Sequence, residues 1–410
     1  MGMSKVLVIG GGAAGMMAAY AAGMVGHNVT LLEQNEKLGK KIYITGKGRC
    51  NFTNASSLDE IMRQVVHNPK FLYSAFYTFS NDAVMDFFEN EGMPYKVERG
   101  NRVFPVSDHS SDVIRTLERA MKKQGVVIKL HTQVKSLLVE QNKVCGVNLV
   151  DGTQVKADHV IVATGGLSYP TTGATGDGYT MAKASGHKMI PPTPALVPLT
   201  TKEEYILRMQ GLSLKNVSLK IRDHNRVIYD AFGEMLFTHF GVSGPLILTA
   251  SSKLSGRFPH MFDATIDLKP ALSEEQLHER ILREFSARPN QQIKTVFQQL
   301  LPSKMVPIMI ELSEIRAEKP VNEITREERE KIVQLLKAFP FTITGTRGFK
   351  EAIITQGGVS VKDIDPGTMA SKKIDGLSFA GEVLDLDAMT GGYNLQIAWS
   401  TGYLAGISIK

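Results

Sequence analysis

The segment Lys5–Gly15 reads K-V-L-V-I-G-G-G-A-A-G, an apolar run followed by a glycine-rich turn. Its β-branched first half is typical of a strand that is buried on both faces. Residues 13–26 are rich in alanine and methionine, which favour a helix. A second apolar run, Asn28–Glu33 (N-V-T-L-L-E), follows within thirty residues. The order strand, helix, strand predicts a parallel sheet.

The glycines of this turn match the spacing G-x-G-x-x-G, and each has a separate predicted role. Gly10 permits the tight turn, Gly12 lets the backbone approach a diphosphate, and Gly15 lets the helix pack closely on the strand. Glu33, 23 residues after Gly10, is expected to hold the two hydroxyls of a ribose. The motif predicts a dinucleotide site but does not separate NAD from FAD, and the alternative is a glycine-rich turn without a ligand.

Three later segments favour FAD. Residues 160–166 (V-I-V-A-T-G-G) form a predicted strand that ends in a turn of small residues. Residues 377–382 (L-S-F-A-G-E) form another, followed by Glu382, whose carboxylate suits the ribityl hydroxyls. Residues 390–394 (T-G-G-Y-N) then open an apolar helix over 395–405, whose free amides would stabilise negative charge at the pyrimidine end of a flavin.

Composition sets limits on function. The chain has 410 residues, and 47 lysines and arginines against 41 aspartates and glutamates give a net charge of +6, which permits an anionic cofactor or RNA without requiring either. Two distant cysteines, Cys50 and Cys145, exclude a dithiol centre, a cysteine zinc site and a disulfide framework, which predicts a cytoplasmic protein. We expect no metal site, because no acidic or histidine cluster has ligand spacing. The uncharged run 6–25 fits the strand and helix above better than a membrane span, so no membrane contact is predicted.

A proline-rich stretch at 191–198 predicts a domain border. The predicted fold is α/β: a doubly wound parallel-sheet FAD-binding domain formed by residues 1–190 and 346–410. It is interrupted by an insert over 191–345 with a β-rich half (191–270) and a helical half (271–345), in which Ser273–Gln276 and Thr325–Glu328 match capping boxes.

Three segments of the FAD-binding domain carry more local expectations. Residues 37–54 are predicted to form a basic, glycine-rich loop, and residues 71–91 a single helix with aromatic residues at helical spacing. A further helix is expected over Asp112–Lys123, with Ser111 as its N-cap.

Beyond these features, the chain resembles the HI0933-like family of bacterial flavoproteins, a group of NAD(P)/FAD-dependent oxidoreductases. The resemblance spans nearly the whole chain, and Ala388 stands where the family pattern predicts glycine. The strings that carry it are Thr45–Asn54 (T-G-K-G-R-C-N-F-T-N), Gly165–Pro170 (G-G-L-S-Y-P), Thr175–Tyr179 (T-G-D-G-Y), Leu236–Pro245 (L-F-T-H-F-G-V-S-G-P), Gln356–Val359 (Q-G-G-V) and Thr390–Asn394 (T-G-G-Y-N).

The resemblance implies FAD on a doubly wound sheet, with an insert that caps the flavin. It also implies reduction of a conjugated C=C bond, in bile-acid enones or in uracil of ribosomal RNA, by hydride transfer from flavin N5 and protonation by an acid. No second G-x-G-x-x-G occurs in the insert, so NAD(P)H is expected to dock transiently as electron donor, unless another donor serves.

The motifs and the resemblance together define the residues expected to contact FAD. Val134 is included by analogy with related flavoproteins, which contact adenine through the backbone of the corresponding strand. The set is Gly10, Gly12, Ala13, Ala14, Gly15, Glu33, Gln34, Lys41, Thr45, Gly46, Arg49, Cys50, Asn51, Val134, Ala163, Thr164, Gly165, Gly381, Glu382, Gly391, Gly392, Tyr393 and Asn394.

Three residues are candidates for catalysis, and each has a structural alternative. Cys50 is a candidate proton donor if Lys47 and Arg49 lower the pKa of its thiol; otherwise it is a small residue packed against the flavin. His239 is a candidate acid or substrate clamp, or else a hydrogen-bonded structural histidine. Tyr393 is expected beside the flavin, where packing and acid roles are not separated by sequence.

Four functions follow, in decreasing order of support. The first is a reductase that saturates an electron-poor double bond of a small molecule. The second is a uracil reductase acting on ribosomal RNA, supported by the pI of 9.0 and by basic stretches at 37–49 and 115–135. The third is a flavin-bound electron-transfer or scaffold protein, and the fourth, a weaker one, is an amine oxidase.

Overall fold

The computed structural model describes residues 2–410. They form two compact units, each with its own hydrophobic core. The first unit runs to Ala195 and resumes over Phe349–Lys410, and the second unit is Leu196–Gly348.

The strands that the structure describes are distributed over both units. In chain order they are β1 (Lys5–Ile9), β2 (Asn28–Leu32), β3 (Thr53–Asn54), β4 (Val65–His67), β5 (Tyr95–Glu98), β6 (Arg102–Pro105), β7 (Val127–Lys129), β8 (Val134–Glu140), β9 (Lys143–Leu149), β10 (Gln154–Lys156), β11 (His159–Val162), β12 (Met189–Ala195), β13 (Leu199–Thr201), β14 (Ser213–Asp223), β15 (Arg226–Thr238), β16 (Gly241–Ser243), β17 (Phe262–Asp267), β18 (Phe339–Thr346), β19 (Ile354–Val359), β20 (Leu377–Phe379) and β21 (Asp387–Ala388).

The α-helices are distributed over both units. In chain order they are α1 (Ala13–Met24), α2 (Lys40–Ile44), α3 (Leu58–Gln64), α4 (Tyr73–Thr78), α5 (Asn81–Asn90), α6 (Ser110–Lys123), α7 (Asp177–Ala184), α8 (Glu204–Arg208), α9 (Pro245–Leu254), α10 (Glu274–Ala287), α11 (Ile293–Leu300), α12 (Val306–Ser313), α13 (Arg326–Lys337) and α14 (Tyr393–Ile407).

The first unit is built on a parallel five-stranded sheet in the order β20-β11-β1-β2-β7. The centre of β1 is fully buried, as its apolar run predicts. Helix α1 crosses from β1 to β2 and packs along α14, the last helix. The predicted α/β class, with a parallel sheet and an insert, is confirmed.

The segment predicted to be a proline-rich connection is instead strand β12, which pairs antiparallel with β19 of the same unit. A register shift between Ile190 and Thr193 accommodates Pro191 and Pro192. These two prolines lack the backbone N–H that donates a hydrogen bond in a regular ladder. The border of the first unit therefore lies at Ala195 instead of residue 190.

Several local expectations in the first unit also need correction. The single helix expected over 71–91 is two helices, because the Ser80 hydroxyl accepts from the amide of Ala83 and starts α5 anew. Helix α6 begins at Ser110 after His109, so Ser111 lies inside it and is not its cap. The basic loop expected over 37–54 contains α2, a 3₁₀ turn and β3.

The second unit contains a closed six-stranded barrel in the order β13-β16-β15-β14-β17-β18. Helices α10 to α13 follow β17, and both predicted capping boxes are present. The last barrel strand, β18, comes after the helices. Part of the segment expected to be helical is therefore a strand, because the barrel needs β18 to pair with β13 and β17.

No helix within residues 2–410 is both long enough and apolar enough to span a bilayer.

Candidate functional site

Four predicted site segments meet at one edge of the parallel sheet. Residues 10–15 follow β1, Glu33 follows β2, residues 163–165 follow β11, and residues 381–382 follow β20. Because these strands are parallel, their carboxyl ends lie along the same edge. Ligands of open α/β sheets bind at this edge.

The glycines after β1 combine close packing with open space. A Cβ on Gly10 would lie 2.6 Å from the carbonyl oxygen of Ala163, and one on Gly15 would overlap the carbonyl oxygen of Gly10. A Cβ on Gly12 would meet no atom within 4 Å. Gly12 is therefore not required by packing within the protein, and the open space beside it fits the close approach of a diphosphate.

Helix α1 begins at this open space without a cap. Its N-cap residue, Gly12, has extended backbone and supplies no side-chain acceptor, and the first turn has no acidic residue. The first amides of such a helix have no partner inside the helix and attract negative charge. Ala13, Ala14 and Gly15 therefore present backbone donors that fit an anionic cofactor.

Glu33 is held in place by its neighbours. Its Oε2 accepts from the amide of Gly11 at 2.6 Å, and its Oε1 accepts from the amide and the side chain of Asn35 at 2.8 and 2.7 Å. A carboxylate can accept about four hydrogen bonds. The arrangement orients Glu33 and leaves about one acceptor position for a ribose hydroxyl.

A second uncapped helix start lies at α14. Its N-cap, Gly392, is left-handed with a φ of 96°, and a Cβ there would overlap the carbonyl oxygen of Thr53. Asn394, expected to contact the cofactor, accepts from the amide of Ala388 and donates to its carbonyl oxygen, so it closes the loop before α14. Tyr393 is half-buried, and burial raises the pKa of its hydroxyl.

Lys41 and Glu382, both expected at the cofactor, bind each other. Lys41 Nζ lies 2.6 Å from Glu382 Oε2, and the other carboxylate oxygen accepts from the Ser168 hydroxyl at 2.8 Å and the Thr355 amide at 2.7 Å. This pair links α2 to the turn after β20. The Glu382 carboxylate thus has strong partners within the protein besides any ribityl hydroxyl.

Arg49 does not act on Cys50. Its guanidinium binds Glu98 and Asp108 and stacks on the ring of Phe104 at 4.2 Å. Cys50 is fully buried, and desolvation raises the pKa of its thiol to about 12. This is opposite to the lowering expected from the neighbouring basic residues, because Arg49 points toward carboxylates instead.

We expect the two thiols to differ sharply in reactivity. Cys145 is partly exposed, whereas Cys50 is buried. The raised pKa of the Cys50 thiol also disfavours formation of the reactive thiolate. Titration of the native protein with a chromogenic disulfide at pH 8 should label one thiol, and titration in urea should label two. A C145S variant that still reacts rapidly in the native state would contradict this.

Three more residues that were expected to contact FAD lie in separate segments of the first unit. Gln34 donates to the carbonyl oxygen of Gly173 at 2.7 Å, and Asn51 accepts from the amide of Val103 at 3.1 Å. Val134 starts β8 and is buried.

Thr45, Gly46 and the candidate His239 lie in two different parts of the chain. Thr45 donates to the carbonyl oxygen of Ile42 and precedes Gly46 in the 3₁₀ turn. His239 belongs to the second unit, where it is exposed and its ring contacts Phe240.

A buried polar cluster beside the α14 start has no signal in the sequence patterns. Asp387 is fully buried, and His67 and Gln356 bind its carboxylate. Gln356 lies in a family-like string and Asp387 lies three residues before another, but no motif contains His67. Only the pairing of β4 with β21 brings His67 into this cluster.

A group of side chains that could hold a metal ion is likewise not visible in the sequence. Asp223, His224 and His260 bring their ligand atoms within 4.8 Å of one another in the second unit. Sequence spacing could not show this, because His260 is remote in the chain and approaches Asp223 through folding, at 2.9 Å. Arg257, 3.7 Å from the same carboxylate, supplies a competing positive charge.

Comparison with known proteins agrees with this architecture. A family model described as the HI0933-like protein Rossmann domain matches residues 4–408. The chain belongs to the HI0933-like family. It is accordingly an FAD-dependent oxidoreductase.

Two relatives are equally similar to this chain in sequence. A ribosomal RNA dihydrouridine synthase of Haemophilus influenzae is 33% identical over 411 residues, which cover 99% of this chain and 98% of the relative. A 3-dehydro-bile acid delta(4,6)-reductase of Clostridium scindens is 33% identical over 412 residues, covering 98% of each.

Solved structures show the same fold at low identity. A 3-ketosteroid delta1-dehydrogenase from Sterolibacterium denitrificans matches with a TM-score of 0.54 and 13% identity, covering 99% of both chains. A 3-ketosteroid-delta4-(5alpha)-dehydrogenase from Rhodococcus jostii matches with a TM-score of 0.52 and 15% identity, covering 99% of this chain and 96% of the other. The HI0933-like fold is thus shared with these enzymes.

Proposed function

We propose that this protein reduces a C=C bond conjugated to a carbonyl group in a small molecule. The two relatives support this class of reaction, since dihydrouridine is uridine with its ring double bond reduced, and a delta(4,6)-reductase acts on double bonds. Equal identity to both relatives supports the reaction class without choosing the substrate.

The observation that carries the proposal is the pair of uncapped helix starts in the first unit. The open space at Gly12 and the amides of α1 fit a diphosphate, and Glu33 fits the adjoining ribose. The amides at the start of α14, with no acidic residue in that turn, would stabilise negative charge at the far end of the cofactor. When bound, reduced FAD supplies the hydride for such a reaction.

A small molecule is favoured over RNA by the charges of the first unit. Of the basic residues in the stretches at 37–49 and 115–135, many pair with acidic neighbours, which weakens the positive potential that RNA binding requires. The pairs are Lys40–Glu36, Lys41–Glu382, Arg49–Asp108, Arg115–Asp112, Lys122–Glu118 and Lys123–Glu91.

Reduction of uracil in ribosomal RNA is the second candidate. It is favoured by the 33% identity to a ribosomal RNA dihydrouridine synthase over 99% of the chain. Under this alternative, binding of ribosomal RNA falls steeply with salt, and deletion of the gene removes a dihydrouridine from ribosomal RNA. If neither result is obtained, this candidate is rejected.

Anaerobic reoxidation tests the reaction class directly. We expect photoreduced holoprotein to be reoxidised by steroid enones at least tenfold faster than by buffer, with one saturated product per flavin. Uracil-containing RNA is the parallel arm, and a saturated steroid of the same skeleton is the control acceptor. If no arm exceeds the control, the electron-transfer or scaffold role replaces the reductase, and rapid reoxidation by oxygen would instead favour an oxidase.

NAD(P)H is the proposed electron donor, and anaerobic mixing of the oxidised holoprotein with NADH and NADPH separately should bleach the flavin absorbance. An absent response to both would assign reduction to another donor. The cytoplasmic location stays a prediction of the cysteine content.

A further inference from the structure

One carboxylate of the second unit binds two imidazole rings through the same oxygen. Oδ1 of Asp223 lies 3.0 Å from Nδ1 of His224 and 2.9 Å from Nε2 of His260. A carboxylate oxygen only accepts hydrogen bonds, so each ring nitrogen that faces it carries a proton in this arrangement. Exchange of these two protons for one divalent cation leaves the same three atoms as its ligands.

The barrel brings these residues together from two parts of the chain. Asp223 is the last residue of β14, and the hairpin turn before β15 follows it. Strands β14 and β17 pair with Arg222 opposite Asp263, which places the segment before β17 beside the end of β14. His260 lies in that segment, and its ring packs against the ring of Phe262 with 5.0 Å between the centroids. The ladder of the barrel therefore sets the approach of His260 to Asp223.

The spacing of the three ligand atoms is close to that of a tetrahedral metal site. Zinc bonds of about 2.0–2.2 Å to imidazole nitrogen and carboxylate oxygen put neighbouring ligand atoms about 3.3 Å apart. The two nitrogen–oxygen distances are slightly shorter, and all three ligand atoms lie within 4.8 Å of one another. The His224 side chain is 80% exposed, so it is free to rotate toward a bound ion, and water completes the fourth position.

Two imidazoles and one carboxylate select the class of ion. Ca²⁺ and Mg²⁺ prefer oxygen ligands, whereas Zn²⁺ and other divalent ions of the first transition row bind imidazole nitrogen. Hydrogen bonds from His224 and His260 hold the pKa of Asp223 below its usual range, which keeps this ligand ionised. The two imidazole rings stack with 5.2 Å between their centroids, so they stand side by side at the carboxylate.

Arg257 opposes a cation at this position. Its guanidinium lies 3.7 Å from Oδ2, the other oxygen of Asp223. The Arg257 side chain is 49% exposed, so water and salt weaken its repulsion of a bound ion. A glutamine at position 257 removes the positive charge and keeps a hydrogen-bond donor for the carboxylate. This substitution should therefore tighten metal binding, because only the repulsion is lost.

We propose that Asp223, His224 and His260 form a Zn²⁺ site, and that the bound ion cross-links the β14–β15 turn to the segment before β17. The site belongs to the second unit and is independent of the reduction proposed for the first. The unfolded chain does not hold the three ligands together, since His260 is remote from the other two in the sequence. Binding to the folded protein therefore stabilises the barrel by mass action.

The test titrates Zn²⁺ into untagged, metal-free holoprotein in competition with a chromogenic zinc indicator. We expect the wild-type protein to bind one ion with micromolar affinity. The D223N, H224Q and H260Q variants should each weaken binding about tenfold or more. The R257Q variant should tighten binding about threefold, because one nearby positive charge is removed. H278Q, at a partly exposed histidine on α10 of the same unit, is the matched control and should bind as the wild type does.

Two further readouts identify the geometry and the role of the ion. Co²⁺ in place of Zn²⁺ should give d–d bands of tetrahedral intensity at longer wavelengths than the flavin absorption, and the H260Q variant should lack them. Zn²⁺ should raise the melting temperature of the wild-type and H278Q proteins and leave that of H224Q and H260Q unchanged. Far-ultraviolet circular dichroism of the metal-free variants should match the wild type, which separates loss of a ligand from loss of the fold.

Three outcomes would overturn the inference. The first is a wild-type protein that binds no Zn²⁺. The second is equal binding by the wild type and the three ligand variants, which would show adventitious binding elsewhere on the surface. The third is an ion that binds through the three residues without raising the melting temperature, which would remove the cross-linking role.

Discussion

Replacement of Gly12 by aspartate is expected to stabilise the apoprotein while weakening FAD binding about a thousandfold. The backbone of Gly12 already has the extended conformation of an N-cap, and a side chain there meets open space. An aspartate would accept from the free amides of α1 and interact favourably with the helix dipole, for about 0.5–1 kcal/mol. This corresponds to a rise of about 2 °C in the melting temperature of the apoprotein.

The same carboxylate would oppose the cofactor. It would occupy the amides that the diphosphate needs, and repulsion between charges about 4 Å apart near a surface amounts to about 4 kcal/mol, or roughly a thousandfold in affinity. Thermal melts with and without FAD, together with fluorescence titration of the apoprotein, measure both effects. Stability and binding should therefore change in opposite directions.

G12A and G15A are the matched controls for this variant. The G12A variant adds a methyl group in open space, so the apoprotein should melt as the wild type does, with a moderate loss of FAD affinity. The G15A variant places its methyl group against the carbonyl oxygen of Gly10 and should destabilise the apoprotein itself. Retention of wild-type FAD affinity by the G12D variant would show that the start of α1 is not the diphosphate site.

Replacement of Gly402 by leucine is expected to destabilise the first unit more than any surface change. Helices α1 and α14 approach so closely that a Cβ on Gly402 would overlap the carbonyl oxygen of Ala14, and one on Gly406 would lie 2.5 Å from that of Ala18. The obstacle is backbone, which cannot rotate away. Overpacking of this kind costs about 3 kcal/mol, at the upper end of its usual range.

The measurement is chemical denaturation followed by flavin fluorescence and far-ultraviolet circular dichroism. G402L should lower the free energy of unfolding by about 3 kcal/mol and the melting temperature by roughly 6–12 °C. FAD affinity should fall too, because the spacing of α1 and α14 sets the distance between their two free helix starts. The control is G367A, at an exposed position where the added methyl group meets only the side chain of Asp365, 3.2 Å away. Equal stability of the G402L and G367A variants would contradict the close packing of the two helices.

Much of the FAD-binding half of the fold could be predicted from local patterns. The strand, turn and helix of residues 5–24 follow from hydrophobicity and glycine spacing. Both capping boxes also depend on residues three positions apart, so they were visible in the sequence. Each of these features depends on interactions between residues that are close together along the chain.

Local patterns failed where distant residues compete for the same segment. Prolines 191 and 192 suggested a linker, but β19 recruits the flanking residues as a strand. The basic residues near Cys50 suggested a lowered thiol pKa, but Glu98 and Asp108 take the guanidinium of Arg49. In each case the deciding partner is remote in the chain, so neighbouring residues do not reveal it.

The sequence by itself determined that the chain contains a dinucleotide-binding strand, turn and helix, because those elements depend on residue size, apolarity and glycine conformation over a few positions. The tertiary structure alone decided which charged and acid–base groups meet. The approach of His67, Gln356 and Asp387, and the pairing of Lys41 with Glu382, depend on how the segments fold together. Electrostatic partners are set by distance in space, and no periodicity along the chain records that distance.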